Sequence, residues 1–424
     1  MSEASVHPTT AVQTRTLDCG TVLLIEPNPS VRTTALVWWL PAGAALDPPG
    51  EGADGLAVMC AEMLERGAGT LDSRAFNDSL DRMGVIRDIS LHAVATRLSA
   101  SCRSKQLEGA LELLVDQVRR PLMPEDALEP VRSLCLQAID GLQDDPSALA
   151  GLAMSRRALP APLNRSSYGN TEVIKQVDLE TIRATWAQRA RPHGSIIAIA
   201  GNVDPDRIAD HLSGLLDGWE GAPPEIGALS EPIGGVEHVE HASAQVHLEM
   251  GFDSPKAGDP EEWAFLAAVR TLGSGASSRL FESVRERRSL CYDVHANYAP
   301  GKYVGLCTIG SGTTPDRADE TVECIFEELK RFGDDGLEKA EFERVRRGFK
   351  TQLMMHGEST SARSFALAHD YYQRGHVRTL ASLAESIDTL TFEEVDEVAR
   401  NRMNASWRDD PVRVAVGPKS PFPS

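Results

Sequence analysis

Two short apolar runs set the frame of this 424-residue chain: SIIAIAGNV (Ser195–Val203) and PVRVAVGP (Pro411–Pro418). Each reads as a buried strand, and each closes a succession of strands and helices of roughly 200 residues. The element order of the two successions matches although their letters hardly do, which points to an internal duplication. Between them, EGAPPEIGALSEPIGG (Glu220–Gly235) shifts to Pro, Gly and small residues and reads as a linker. The expected organisation is an N-terminal half 1–222, a linker 223–235 and a C-terminal half 236–424. The expected class is α+β, each half a mixed, mainly antiparallel sheet with helices packed on one face.

Within the first half, Thr21–Pro27 and Thr33–Gly43 are rich in β-branched and aromatic residues and read as strands around the turn NPSV. Helices are expected near 54–66 and 73–83, the second stopped by Gly84. GVIRDISLHAVATRLSASC supplies one or two strands. Asp204, with Pro205 at the first helical position, opens another helix. The second half repeats the scheme, with strands in AQVHLEMGF and YDVHANYAPGKYVGLCTIGSG and helices near 260–272, 314–332, 336–355 and 359–374.

A hydrophobic share of 42% and a charged share of 25% are enough for sizeable cores. The net charge of −19 argues against nucleic acid or an anionic membrane surface as a partner. No stretch approaches the roughly 20 apolar residues of a membrane span. Seven scattered cysteines, odd in number and without C-x-x-C, fit buried free thiols in a reducing compartment, and MSEASVHPTTAVQTRTLDCG has no apolar leader core. The expected location is cytoplasmic.

DGLAVMCAEML (Asp54–Leu64) carries the main functional signal. Asp54 reads as its N-cap. Leu56, Met59, Cys60, Met63 and Leu64 make one core-facing stripe at helical spacing. The opposite face carries Val58, Ala61, Glu62 and Glu65. Taken alone, this is a core helix with a polar outer face.

GADGLAVMCAEMLERGAGT nevertheless resembles the G-L-A-H-x-x-E-H-M-L-x-x-G-T helix of the inverted-zincin peptidases, the family of pitrilysin, insulin-degrading enzyme and the mitochondrial processing peptidase. In that helix two His bind zinc and the Glu between them is the general base. Aligned residue by residue, Val58 stands at the first His, Ala61 at the Glu and Glu62 at the second His. The family's third ligand, a Glu in a later helix, aligns with Gln137 and Ala138 in SLCLQAIDGLQDDP. One carboxylate cannot hold a catalytic zinc, which takes three protein ligands plus water. The resemblance runs on in order through SSYGNTEVI (with Tyr168–Gly169), RPHGSIIAIAGNVDPDRI, AQVHLEMGFDSP, SSRLFESVRERRSLCYDV, ESTSARSFALA and VDEVARNRM.

SSRLFESVRERRSLCYDV keeps the family's R-x-x-x-x-x-x-Y spacing, at Arg285 and Tyr292. By resemblance this pair donates to substrate carbonyls beside the scissile bond. A guanidinium and a phenol aimed at the carbonyl oxygen stabilise the charge that hydrolysis places there. Without the family, Arg285 is one charge in the surface run RERR and Tyr292 an ordinary strand tyrosine.

The resemblance therefore implies a chain that is not an enzyme on its own. It has no metal or cofactor, and it completes the site of a homologous H-x-x-E-H subunit that carries the zinc. Arg285 and Tyr292 act there in trans on a peptide substrate. A structural or peptide-binding family member with no enzymatic partner is the alternative, and a self-sufficient hydrolase with an unrecognised site is a third. LGSGASSRL (Leu272–Leu280) lacks the G-K-[ST] of a phosphate loop and reads as a turn packing a helix. His238 and His241 in HVEH read as surface residues. VIRDISLHAVATRLSA matches the family's edge region that adds a peptide as an extra strand.

Overall fold

The computed structural model describes residues 11–50, 52–403 and 411–423; residues 1–10, the start of the stretch expected to lack an apolar leader core, lie outside the described residues. In chain order the strands are β1 (Gln13–Thr16), β2 (Val22–Pro27), β3 (Thr33–Leu40), β4 (Gly67–Ala68), β5 (Leu71–Asp72), β6 (Ile86–Leu91), β7 (Thr96–Arg103), β8 (Ile196–Gly201), β9 (Val236–Glu240), β10 (Val246–Ser254), β11 (Cys291–Pro300), β12 (Gly305–Thr313) and β13 (Val412–Gly417). The helices that position the site are α1 (Leu56–Met63), α2 (Ser73–Met83), α3 (Leu107–Arg119), α4 (Leu128–Gly141), α5 (Pro146–Ala158), α6 (Thr171–Gln176), α7 (Leu179–Arg189), α8 (Pro205–Leu215), α9 (Glu262–Gly273), α10 (Ala318–Asp335), α11 (Lys339–Glu358) and α12 (Thr360–Arg374).

The chain divides into two compact units. Unit 1 takes in residues up to Ile139, Arg165–Ala228 and Met355–Leu380; unit 2 takes in Asp140–Asn164, Leu229–Met354 and Ala381 onward. The chain passes from one to the other at Ala228–Leu229, inside the Pro/Gly-rich stretch, and also near 139, 164, 354 and 380. Each unit therefore includes a helix from the opposite half of the sequence.

Unit 1 holds a sheet in the order β1-β2-β8-β3-β7-β6, and unit 2 a sheet in the order β11-β12-β10-β13-β9. Apart from the extra edge strand β1, the strands of each sheet run first-fifth-second-fourth-third along the chain. In each, the first and fifth are parallel and every other neighbour is antiparallel. One connectivity used twice is the duplication in three dimensions. The closing strands β8 and β13 sit between neighbours in both sheets, and β8 is buried along its whole length. Central placement is why these runs are apolar on both faces.

The class is α+β, with a helical layer on one face of each sheet. In unit 1 this layer includes α1, α2, α3 and α7 over Leu23, Ile25, Leu36, Trp38, Leu98 and Ile197. Unit 2 packs α9 and α10 over Leu248, Met250, Phe252 and Ile309. Each sheet also carries one helix on its second face. On unit 1, Leu367 and Ala368 of α12 lie on Leu24, Val37, Trp39 and Ala198, and Arg363 donates to the buried Glu26 at 2.8 Å. On unit 2, Ala150, Ala153, Met154 and Ala158 of α5 lie on Val414 and Val416. Gly251 on β10 makes room, since a Cβ there would lie 2.6 Å from the Met154 sulfur.

One local reading is corrected. Asp54 does not cap α1; Gly55 occupies the N-cap position and has no side chain to offer. The free N–H groups donate instead to Asp47, Gly55 N–H to Oδ2 at 2.7 Å and Ala57 N–H to Oδ1 at 3.0 Å. Asp47 is buried and paired with buried Arg189 of α7 at 2.7 Å. Asp54 is turned to the 165–166 segment, accepting from the Ser166 N–H at 3.3 Å with Arg165 at 3.6 Å. A capping carboxylate brought from eight residues upstream is invisible to a rule that looks only at the preceding residue.

Candidate functional site

In unit 1, Val58, Ala61, Glu62 and Ala138 share one cavity. Helix α1 turns its Met59–Cys60–Met63 stripe into the core, which leaves Val58, Ala61 and Glu62 facing out. α4 brings Ala138, with Leu134 and Cys135, to the same space, a cavity of about 760 Å³. β6, the outer strand of the sheet, and α2 supply further walls. Tyr168 lines the cavity, and the following Gly169 adopts φ +79°, where a Cβ would lie 2.9 Å from Gly55 Cα and 3.0 Å from Val58 Cγ1. Glycine is required there by both the left-handed backbone and the close approach to α1.

Two of the cavity's charges are committed to each other. Glu65 forms a two-pronged ion pair with Arg87, whose Nη1 donates to Oε1 at 2.6 Å, and Arg87 also reaches Asn77 at 3.0 Å. Burial pushes the Glu62 carboxyl above its ordinary range and Glu65 adds to this, while Arg66 opposes it. The Cys135 thiol is pushed up to about 12, by burial first and then by Glu62.

This donor set does not fit a catalytic zinc. Val58, Ala61 and Ala138 carry no side-chain donor atom, and Gln137 does not line the cavity. No group of three His, Cys, Asp or Glu side chains among the described residues converges as a metal site. What remains is a peptide-sized hollow with apolar patches, beside an open strand edge.

Unit 2 holds Arg285 and Tyr292. Arg285 lies in a π-helical segment, Phe281–Arg287, that ends one turn before β11. The connection is tight: Ser289 sits at φ +53°, uncommon for a residue other than glycine, and the Leu290 N–H returns to Val284 O at 3.0 Å. β11 then opens with a bulge. Cys291 pairs with Thr313 and Asp293 with Gly312, so Tyr292 is the extra residue. A bulge re-aims a side chain out of the strand's alternation, and Tyr292 is 77% exposed. The Arg285 guanidinium carbon lies 4.9 Å from the Tyr292 ring centre and 4.6 Å from that of Phe281, within cation–π range of both. The bulge is held from β12 and beyond. Ser311 Oγ donates to Asp293 O at 3.0 Å, Thr313 Oγ1 to Leu290 O at 2.7 Å, and Arg317 to Ser289 O. A guanidinium packed by aromatic rings loses less freedom when it meets a ligand.

Two family profiles match the chain. The one described as Insulinase (Peptidase family M16) covers residues 22–170, and Peptidase M16 inactive domain covers residues 176–349. The chain belongs to peptidase family M16. This M16 chain is 24% identical over 411 residues to an uncharacterised zinc protease of Bacillus subtilis, covering 96% of this chain and 98% of that one. It is 25% identical over 401 residues to an uncharacterised zinc protease of Mycobacterium tuberculosis, covering 92% and 91%. Its fold is similar to a crystal structure of a peptidase M16 inactive domain from Pseudomonas fluorescens, with TM-score 0.85, 21% identity and 97% and 98% of the two chains covered. It is also similar to a chain of complex III2 from Candida albicans, with TM-score 0.81, 16% identity and 98% of each covered.

Other sequence features of the M16 chain are structural. Leu272–Leu280 is a turn between α9 and the π-helical segment, and Gly273 meets the Ala296 backbone, where a Cβ would lie 2.3 Å from its N. His238 and His241 each contact a backbone carbonyl, of Gly417 at 2.9 Å and of Gln143 at 2.7 Å. The cysteines are free, with Cys19 and Cys291 half-buried and the rest buried. None of the helices among the described residues is long and apolar enough to cross a membrane. Sequence reasoning missed Asp47, which caps α1, and Arg189, its buried partner. It also missed a second cavity, of about 200 Å³, beside Tyr292. A signal for the cavity was present in the alternation of polar residues in VHLE and YDVH against the glycines of GSG.

Proposed function

We propose that this chain is the noncatalytic subunit of a two-chain M16 metallopeptidase. A homologous subunit with an H-x-x-E-H helix holds zinc and the attacking water, and this chain adds Arg285 and Tyr292 to the partner's site. The observation that carries the reading is the Arg285–Tyr292 arrangement: an exposed phenol on a pinned bulge, with a guanidinium stacked against it. Of Val58, Ala61, Glu62 and Ala138, which line the first-half cavity, only Glu62 keeps a side-chain donor atom. Both side chains are hydrogen-bond donors. Aimed at a substrate carbonyl they strengthen their hold as its oxygen gains charge, which lowers the barrier more than it tightens ground-state binding. The free thiols and acidic surface suit the cytoplasm, and no nucleic acid or membrane partner is called for.

The test begins with co-purification from the native organism and mass spectrometry for an H-x-x-E-H companion. The reconstituted pair is then assayed on short peptides. Arg285→Ala and Tyr292→Phe should each cut turnover by about 10²–10³-fold while the pair still elutes as one complex. Full activity in both variants refutes the reading.

A second reading, a peptide-holding or structural protein with no enzymatic partner, draws on the cavity itself. β6 pairs on one side only, with β7, so its other edge is open for an added strand beside a 760 Å³ hollow. A stable homodimer and no H-x-x-E-H chain in extracts would favour it.

A further inference from the structure

On the face of the unit 2 sheet that α5 covers, three neighbouring strands set polar side chains in two rows. Glu249, Gly310 and His295 lie side by side across β10, β12 and β11; His247, Gly312 and Asp293 form the next row. In both rows the middle position is glycine. A Cβ at Gly310 would lie 2.7 Å from Glu249 Oε1 and 2.7 Å from His295 Nε2. The missing side chain thus lets a carboxylate and an imidazole lean toward each other over the central strand. Together with Ser147 and Ala150 of α5, these groups wall the 200 Å³ cavity that Tyr292 also lines.

The charges in this cavity are unbalanced. Glu249 is half-buried, and no N–H or O–H of the described residues donates to its carboxylate; burial pushes the group up, with His295 opposing. His295 is tied on its other nitrogen, Nδ1, to Asp293 Oδ2 at 2.9 Å. Burial pushes the His247 imidazole down, toward its neutral form, against the pull of Asp145. Two carboxylates therefore face one shared imidazole. A half-buried carboxylate with no protein donor gains by meeting a cation. The donors here do not converge as a metal site. The space suits an ammonium group on a short alkyl stem.

We propose that this cavity binds a primary ammonium group of a peptide, its amino terminus or a lysine side chain, with Glu249 as the counter-charge. It rests on the reading above in taking the ligand to be a peptide. The ammonium fixes the register of that peptide against Tyr292, and this gives the chain a role in choosing substrates.

The experiment uses the purified full-length chain without a partner. Binding is followed by calorimetry with three probes: trialanine amide, acetyl-Ala-Lys-Ala amide and acetyl-trialanine amide. One or both ammonium-bearing probes should bind and the neutral one should not; the tighter of the two tells whether an amino terminus or a lysine is preferred. Glu249→Gln should weaken binding at least about tenfold, the scale of one charge-assisted hydrogen bond. Gly310→Ala, which fills the gap with the charges unchanged, should do the same, and melting curves report that both variants fold. Equal binding of the neutral probe, or undiminished binding in both cavity variants, overturns the proposal. The trans-site reading fails by a different result, turnover that survives Arg285→Ala in the mixed complex.

Discussion

Removing the Asp47 carboxylate is expected to be one of the costliest single changes in unit 1. Asp47 accepts the first free N–H groups of α1 at 2.7 and 3.0 Å and pairs with Arg189, the two side chains only 1% and 5% exposed. Arg189 is anchored again by donating to Leu46 O at 2.8 Å, so it cannot swing out to water when its partner goes. Breaking a buried pair costs about 3–5 kcal/mol, because the remaining charge stays desolvated. Losing a cap alone costs about 1 kcal/mol. One carboxylate serves both roles and the costs overlap, so Asp47→Ala should lose about 4 kcal/mol, and Asp47→Asn, which keeps an acceptor oxygen, about 2–3 kcal/mol. Asp54→Asn is the control. Burial raises the Asp54 carboxyl above its ordinary value, with Arg165 and the Ser166 N–H opposing. A carboxyl raised on folding contributes stability below its unfolded value and loses it as pH rises through the folded one. At neutral pH its ionised form is a burden, and Asp54→Asn should be neutral or stabilising. Urea unfolding followed by far-UV circular dichroism reads all three variants. A loss below about 1 kcal/mol for Asp47→Ala, or a larger loss for Asp54→Asn, would refute the assignment of the cap.

Three further outcomes are expected. In the reconstituted pair, Tyr292→Phe and Arg285→Ala should each lower kcat by about 10²–10³, the worth of one oxyanion donor, with chromatographic assembly unchanged. Val58→His, Glu62→His and Ala138→Glu together should give a chain that copurifies with zinc by elemental mass spectrometry. Gln137→Glu in place of Ala138→Glu should not, because Ala138 lines the cavity and Gln137 does not. Glu62→Gln should raise the unfolding midpoint at pH 7, since its carboxyl is raised by burial. The gain should vanish below about pH 4, where both states of the wild type are protonated; an equal gain at all pH values would contradict that cause.

The local features were legible because local forces make them. β-Branched runs became β2, β3, β8 and β13; Gly84, at φ +67°, ends α2 as expected. Asp204 caps α8 through the Asp206 and Arg207 N–H groups. The outward face of α1, read from helical spacing, is the face that meets the cavity. Order of elements and periodicity also carried the α+β class and the repeat.

What no periodicity could supply was the set of contacts between residues far apart in sequence. The first-fifth-second-fourth-third strand order comes from which edges pair, and the placing of α5 and α12 on the second faces of the sheets from which apolar surfaces most need cover. Asp47 displaced Asp54 as the cap because Arg189, 142 residues away, holds it there. The exposure of Tyr292 depends on a single unpaired residue in the β11–β12 ladder, and register is settled by the partner strand. Side-chain spacing along one strand or helix is written in the sequence; which strand lies alongside, and in what register, is decided only when the chain closes on itself.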